Sequence, residues 1–236
     1  MHDQALPYHE SRQQPNNGDQ APEFSKGAKL LAQVVSYITH PLFIPLLVTF
    51  LLLQSLPEYF VAFKQESRKF PYDLLYFRVG LISLLFPLLT VVLAKTLGFI
   101  SSIYLNTQRD RIIPYVAIII YYFWAFYTFL EEGRAPKFYS AFFLGMFLAI
   151  SISFVTNSFW KTSMHATGWG GVIGFLLSLM WGMHMNVAMP LVITFMVAGI
   201  VGTCRMILKA HTPAEIYLGF SIGIITQLAS CWMLVV

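Results

Sequence analysis

The chain has 236 residues, 57% of them hydrophobic and only 11% charged, with a mean hydropathy of +0.64 and a net charge of +4. A soluble domain carries about 25% charged residues, so this composition excludes an ordinary soluble enzyme and points to a multi-span membrane protein. The charge is modest and no basic tract is present, so nucleic acid is not an expected partner; Cys204 and Cys231 lie in apolar stretches and offer neither a disulfide framework nor a zinc pattern.

Residues 1–28 are polar and rich in Gln, Asn and Pro. They bury too little to fold and are expected to form a disordered tail; no short apolar run follows basic residues there, so no secretory signal is expected. Residues 29–236 form one transmembrane domain. Its first span, about 29–56, is interrupted by His40-Pro41 and Pro45 and should be kinked or partly re-entrant. His40, beside a proline, is expected first to satisfy a carbonyl freed by that break, with a functional role as the second reading. Residues 57–73, with Lys64, Glu66, Arg68 and Lys69, read as an interfacial segment. A second span, about 74–97, contains Pro87. A polar turn over 106–111 then carries Arg109 and Arg111, and a third span follows over 114–130.

Glu131 to Pro136 make a loop, and a fourth span covers about 138–155. A second polar island, 157–167, holds Lys161, Ser163 and His165. The fifth span opens with Gly168, Gly170, Gly171 and Gly174, small residues that allow close helix packing. Spans six and seven cover about 187–208 and 213–236. Each is near the 20 residues a crossing requires. The fold class is therefore all-α, a polytopic membrane helix bundle of six or seven spans without internal repeats.

The connection between the last two spans is unlike its surroundings. Arg205, Lys209, His211 and Glu215 fall within eleven residues of it. Ionisable groups beside membrane-spanning sequence are costly and point to function. His211 and Glu215 are four apart and share a helix face, so the carboxylate can hold the Nδ1 proton and leave Nε2 free to react. Thr212-Pro213-Ala214-Glu215 is also a capping box for the final helix, and the two readings are compatible. Two spans separate the Arg109–Arg111 turn from the Lys161–His165 island, and two more separate that island from Arg205–His211. An even number of crossings returns the chain to the same side, so the three islands should converge. A hydroxyl, several cations and a helix start make an anion site, and two histidines divide into nucleophile and acid without a metal.

At this point the sequence resembles the membrane branch of the type 2 phosphatidic acid phosphatase (PAP2) superfamily over about residues 75–230. Its motifs are K-x6-R-P, P-S-G-H and S-R-x5-H-x3-D. Cys204-Arg205, five residues, His211, three residues and Glu215 reproduce the third spacing, and Lys161-Thr162-Ser163-Met164-His165 resembles the second. The turn ending in Ile113-Pro114 resembles the first loosely. The resemblance implies a PAP2-like core and a metal-independent, cofactor-free phosphatase acting on a lipid phosphate or pyrophosphate through a phosphohistidine. His211 would be the nucleophile, His165 the general acid and Glu215 the group orienting His211. Arg205, Ser163 and the Met164 amide would hold phosphate. Asn106 and Ile113 stand where the first motif has Lys and Arg, and Arg109, Arg111 and Lys161 are expected to supply the lost charge. Cys204, Glu215, Thr162 and Met164 also depart from the family residues. Two other classes stay open: a catalytically silent phospholipid binder or transporter on the same fold, and a metal enzyme using His165, His211 and Glu215. Membrane lipids are the expected surroundings, and a bacterial inner membrane the expected location.

Overall fold

Apolar runs separated by short polar turns form the helices of this computed structural model, which describes residues 24–64, 72–103 and 107–235. The described residues are all-helical and contain no strand. In chain order the helices are α1 (Lys26–Ile38), α2 (Ile44–Ser55), α3 (Asp73–Gly80), α4 (Phe86–Thr96), α5 (Gln108–Glu131), α6 (Lys137–Thr156), α7 (Met164–Leu177), α8 (Ala188–Ile207) and α9 (Pro213–Leu234). Six segments are long and apolar enough to cross a membrane: Lys26–Ser55, Asp73–Thr96, Arg109–Glu131, Lys137–Thr156, Ala188–Ile207 and Pro213–Leu234.

The expected fifth span is not among these six. It is α7, 14 residues long, continued by a π-helical turn over Ser178–Gly182. None of its residues from Met164 to Leu177 is exposed. A helix apolar all round belongs in a core, and α7 is the central helix of the bundle. Gly170, Gly171 and Gly174 face α9, and Gly168 faces Pro41 and Ile44. A Cβ on Gly170 would stand 2.5 Å from the Phe220 carbonyl oxygen, and one on Gly174 would stand 2.6 Å from that of Ile224. Larger residues would separate the two helices that carry His165 and Glu215.

The breaks follow local chemistry. Ser25 caps α1, its hydroxyl accepting the Ala28 N–H at 3.2 Å, so residues 26–28, assigned to the tail from sequence, are helical. Residues 1–23 lie outside the described residues, as do Glu66, Arg68, Lys69 and Asn106. Pro41 ends the first helical run, and a 3-10 turn over Pro41–Phe43 redirects the chain into α2. A π-helical turn over Leu81–Leu85 precedes Pro87 and accommodates its missing N–H. The segment over Pro57–Phe63 is more than interfacial: Phe60 is fully buried, edge-on to Tyr139 at 5.3 Å.

Two ends can be told apart. At one, Arg78 pairs with Glu132 at 2.6 Å and stacks over Phe129 at 4.2 Å, joining the last turn of α3 to the end of α5. At the other, Asp110 accepts the Ser101 N–H at 2.7 Å and its hydroxyl at 2.6 Å, joining the loop after α4 to the start of α5. The starts of α5, α7 and α9 and the end of α8 meet at this second end, so α7, though not among the six membrane-length helices, carries the chain from one end of the bundle to the other as the expected fifth span was to do.

Candidate active site

The polar island after α8 is built by an unusual helix end. Lys209 has φ 49°, in the left-handed region, and its N–H donates to Met206 at 2.9 Å while Ala210 N–H donates to Arg205 at 3.1 Å. Glycine is the residue favoured there; holding a lysine costs about 1 kcal/mol or more. The turn sends Lys209 outward, exposed, and brings His211 back toward α7. Thr212 then starts α9 with a complete capping box.

Glu215 serves that cap and the histidine through one oxygen. Its Oε2 accepts the Thr212 N–H at 3.2 Å and lies 2.9 Å from His211 Nδ1. A carboxylate there makes Nδ1 the protonated nitrogen, leaving the Nε2 lone pair on the opposite edge of the ring. The His211 side chain is 9% exposed. Burial pushes its pKa below the usual histidine value; the Glu215 hydrogen bond opposes this, and the charges of Arg205 and Lys161 reinforce it. The ring is therefore neutral at neutral pH, the state a nucleophilic role would require.

His211 lines a cavity of about 420 Å³ together with Arg111, Lys161, Met164, His165 and Arg205. All three polar islands thus meet. Arg205 Nε is buried and without a hydrogen-bond partner, a state costing about 1–3 kcal/mol, more for a charged group. Lys161 Nζ donates to the Ala210 carbonyl at 3.1 Å, tying the island before α7 to the one before α9. Met164 does not swing freely into the site: its sulfur accepts from the Tyr115 hydroxyl at 3.0 Å.

Two expected phosphate ligands sit elsewhere. The segment 108–111, expected as a turn, is the first turn of α5, capped by Thr107, whose hydroxyl accepts the Asp110 N–H at 3.1 Å. Residues two apart on a helix point nearly opposite ways, so Arg111 faces the cavity and Arg109 is exposed away from it. Ser163 is fully buried and does not line the cavity. It is the N-cap of α7, accepting the Ala166 N–H at 3.4 Å, because the orphan N–H groups of a buried helix start require an acceptor.

The kink after α1 supplies residues the sequence reading did not assign to the site. His40, Pro41 and Leu42 line the cavity. The His40 ring packs edge-on against His165 at 5.2 Å, and His40 Nδ1 accepts the Leu42 N–H at 3.3 Å. His40 therefore satisfies a donor, not the freed carbonyl expected of it. The α1 carbonyls are taken by α7 instead: His165 Nε2 donates to Ser36 O at 3.0 Å, and Trp169 Nε1 to Thr39 O at 3.0 Å. A carbonyl can only accept, so His165 carries a proton on Nε2 and its other ring nitrogen, Nδ1, is the one left for a further role. The only advance signal for this pairing was the proline break itself.

Among the described residues no group of three or more His, Cys, Asp or Glu side chains is placed to hold a metal; His165, His211 and Glu215 do not form one. Three cations line the same cavity and would repel a fourth.

The role of Lys161 can be measured. If it holds a phosphate oxygen, Lys161→Met should lower kcat/KM about 30- to 1,000-fold, the loss of one preorganised donor. It should also move the acid limb of the pH profile upward, because a charge that depresses the His211 pKa is gone. An interfacial anchor would change neither.

No protein-family model, no curated protein and no solved structure matches this chain.

Proposed function

We propose that the protein is a lipid-phosphate phosphatase of the PAP2 type, hydrolysing a phosphomonoester or pyrophosphate of a lipid through a phosphohistidine. The observation that carries this reading is the pairing of His211, held at Nδ1 by Glu215, with a cavity lined by Arg111, Lys161 and Arg205, whose buried Nε has no hydrogen-bond partner. A guanidinium whose buried Nε has no hydrogen-bond partner favours an anion beside it. A neutral imidazole beside it calls for an electrophile at that anion. The cavity lies in a bundle with six apolar helices of membrane length, which makes a lipid the natural carrier of the phosphate. A bacterial inner membrane is the location that goes with this reading.

The steps balance on the residues present. His211 Nε2 attacks phosphorus, the N–P bond forms and the P–O bond to the lipid breaks. Burial and the Arg205 charge hold the His165 pKa down, to about 3; a bound phosphate dianion supplies the negative charge that lets the ring take up a second proton, and His165 then gives its Nδ1 proton to the leaving oxygen and keeps its Nε2 proton on Ser36 O. Water then attacks phosphorus, returns a proton to His165 and releases phosphate. Arg205, Lys161 and Arg111 stabilise charge on the equatorial oxygens.

A phosphate-release screen over lipid phosphates tests this. Release should persist in chelator, fall with vanadate, a mimic of the five-coordinate geometry, and vanish in His211→Ala. Binding of lipid phosphates without any release would instead identify a silent binder on this framework. Loss of release in chelator with recovery on adding Zn²⁺ or Mg²⁺ would identify a metal enzyme.

A further inference from the structure

The residue before a proline is pushed out of the helical region, so Pro41 fixes His40 at φ −61° and ψ 138°. Most of the hydrogen-bonding groups of His40 are then used locally. Its N–H donates to Tyr37 O at 3.4 Å, its carbonyl accepts the Phe43 N–H at 2.9 Å, and Nδ1 accepts the Leu42 N–H at 3.3 Å. An Nδ1 that accepts carries no proton, so the ring is neutral and its proton is on Nε2. That Nε2–H is the group left over. Among the described residues no acceptor is bonded to it, and unlike Arg205 Nε it is not sealed from water.

The ring lines the cavity with Arg111, Lys161, His165, Arg205 and His211. It is held from two sides: the Leu42 N–H fixes one edge, and His165 packs perpendicular to it with ring centres 5.2 Å apart. Among the described residues that line the cavity none is acidic, and the Ala210 carbonyl already accepts from Lys161. The cavity therefore offers the Nε2–H no anionic acceptor of the protein's own. A phosphoryl group beside His165 and Arg205 offers one, because each of its oxygens accepts hydrogen bonds from more than one side.

We infer that His40 is a further ligand of the phosphoryl group, donating its Nε2–H to one of the oxygens that Arg205, Lys161 and Arg111 surround. This rests on the phosphate reading of the cavity. The bond transfers no proton: Nε2 keeps its hydrogen throughout. A neutral donor adds a bond without adding a charge, and a further positive charge would oppose the second proton that His165 must take up. The two outer histidines are set by opposite partners at Nδ1. Glu215 accepts from His211 and leaves a lone pair at Nε2, whereas the Leu42 N–H donates to His40 and leaves a hydrogen there. One ring can attack phosphorus and the other can only hold an oxygen.

Two substitutions separate the donor from the turn. His40→Asn places Oδ1 where Nδ1 stands, so it can still accept the Leu42 N–H, as asparagine does two residues ahead in turns, but it has nothing at Nε2. His40→Gln places an amide N–H₂ near Nε2 and gives up the acceptor at Nδ1. The full-length protein in zwitterionic lipid vesicles is titrated with orthovanadate, followed by vanadium NMR, and release from alkyl and aryl phosphates is measured alongside. His40→Asn should weaken vanadate binding and lower kcat/KM about 10- to 100-fold, the effect of one hydrogen bond to a charged group. Its melting temperature should stay within about 4 °C of wild type. His40→Gln should bind vanadate within about fivefold of wild type, because its donor remains, although it is the less stable variant. The loss in His40→Asn should be equal for the alkyl and aryl esters, since no proton reaches the leaving oxygen. Unchanged vanadate affinity in His40→Asn would overturn the proposal. So would affinities that follow melting temperature, with His40→Gln the weakest, or a loss confined to the alkyl ester, which would make His40 an acid. If His40→Asn weakens vanadate binding but the wild-type chain releases phosphate from no lipid, the ligand role stands and the phosphatase reading falls. If release occurs and His40→Asn matches wild type, the reverse holds. A wild-type chain that neither binds vanadate nor releases phosphate overturns both.

Discussion

Replacing Glu215 by Gln should lower phosphate release about 100- to 10,000-fold, the span between losing an orienting partner and losing the acid of a histidine pair. The fold should hardly change. Oε2 of Glu215 accepts from both Thr212 N–H and His211 Nδ1–H, and the carbonyl oxygen of Gln can accept from the same two donors. The cap and the tautomer can therefore survive. What is lost is the negative charge that stabilises His211 as its ring becomes positive on bonding to phosphorus. The melting temperature should move by no more than about 4 °C, the effect of roughly 1 kcal/mol in a chain of this size. The pH profile supplies a second reading. Glu215 raises the His211 pKa against burial and the cations. Removing its charge lowers that pKa further, so the acid limb of the residual activity should shift to lower pH. This is opposite in sign to the shift expected for Lys161→Met. Equal and small effects on activity and stability would reduce Glu215 to a helix cap.

Much of this arrangement could be read before any coordinates, because it is local. The His211–Glu215 spacing, the capping box at Thr212 and the break at His40-Pro41 each depend on residues within one or two turns. The expected spans over 138–155, 187–208 and 213–236 correspond closely to α6, α8 and α9. Parity then brought the islands together without knowledge of any contact. Reading failed where facing direction or partners far along the chain decide. Arg109 and Arg111 looked equivalent as a turn; as the first turn of α5 they diverge, and one leaves the cavity. Ser163 looked like a phosphate ligand, but a buried helix start needed its hydroxyl first. The six or seven spans expected are six helices of membrane length together with α7, which runs across the bundle buried among protein. The bond from His165 to Ser36 joins residues 129 apart and has no local pattern. It could be anticipated only by asking where the carbonyls freed before Pro41 find donors.

That bond separates structure from chemistry at His165. The Nε2–H of His165 anchors the start of α7 to the end of α1, and Trp169, one turn later, makes the same kind of bond to Thr39. A general acid acts through the other nitrogen. His165→Gln therefore splits the two roles: its amide N–H₂ reaches the place of Nε2 and can still donate to Ser36 O, while nothing replaces Nδ1. The variant should keep the wild-type melting temperature within about 4 °C and lose about 100- to 10,000-fold in release from an alkyl phosphate, the contribution of a positioned acid. The loss should shrink at least tenfold with an aryl phosphate whose leaving oxygen departs readily without a proton. His165→Ala should show the same leaving-group pattern together with lower stability, because the Ser36 carbonyl then loses its donor, at about 1–3 kcal/mol. If His165→Gln is equally slow on both esters, His165 positions α1 and the phosphate but does not supply the proton. His40, packed edge-on against it in the same cavity, would then be the histidine to test in the same pair of assays.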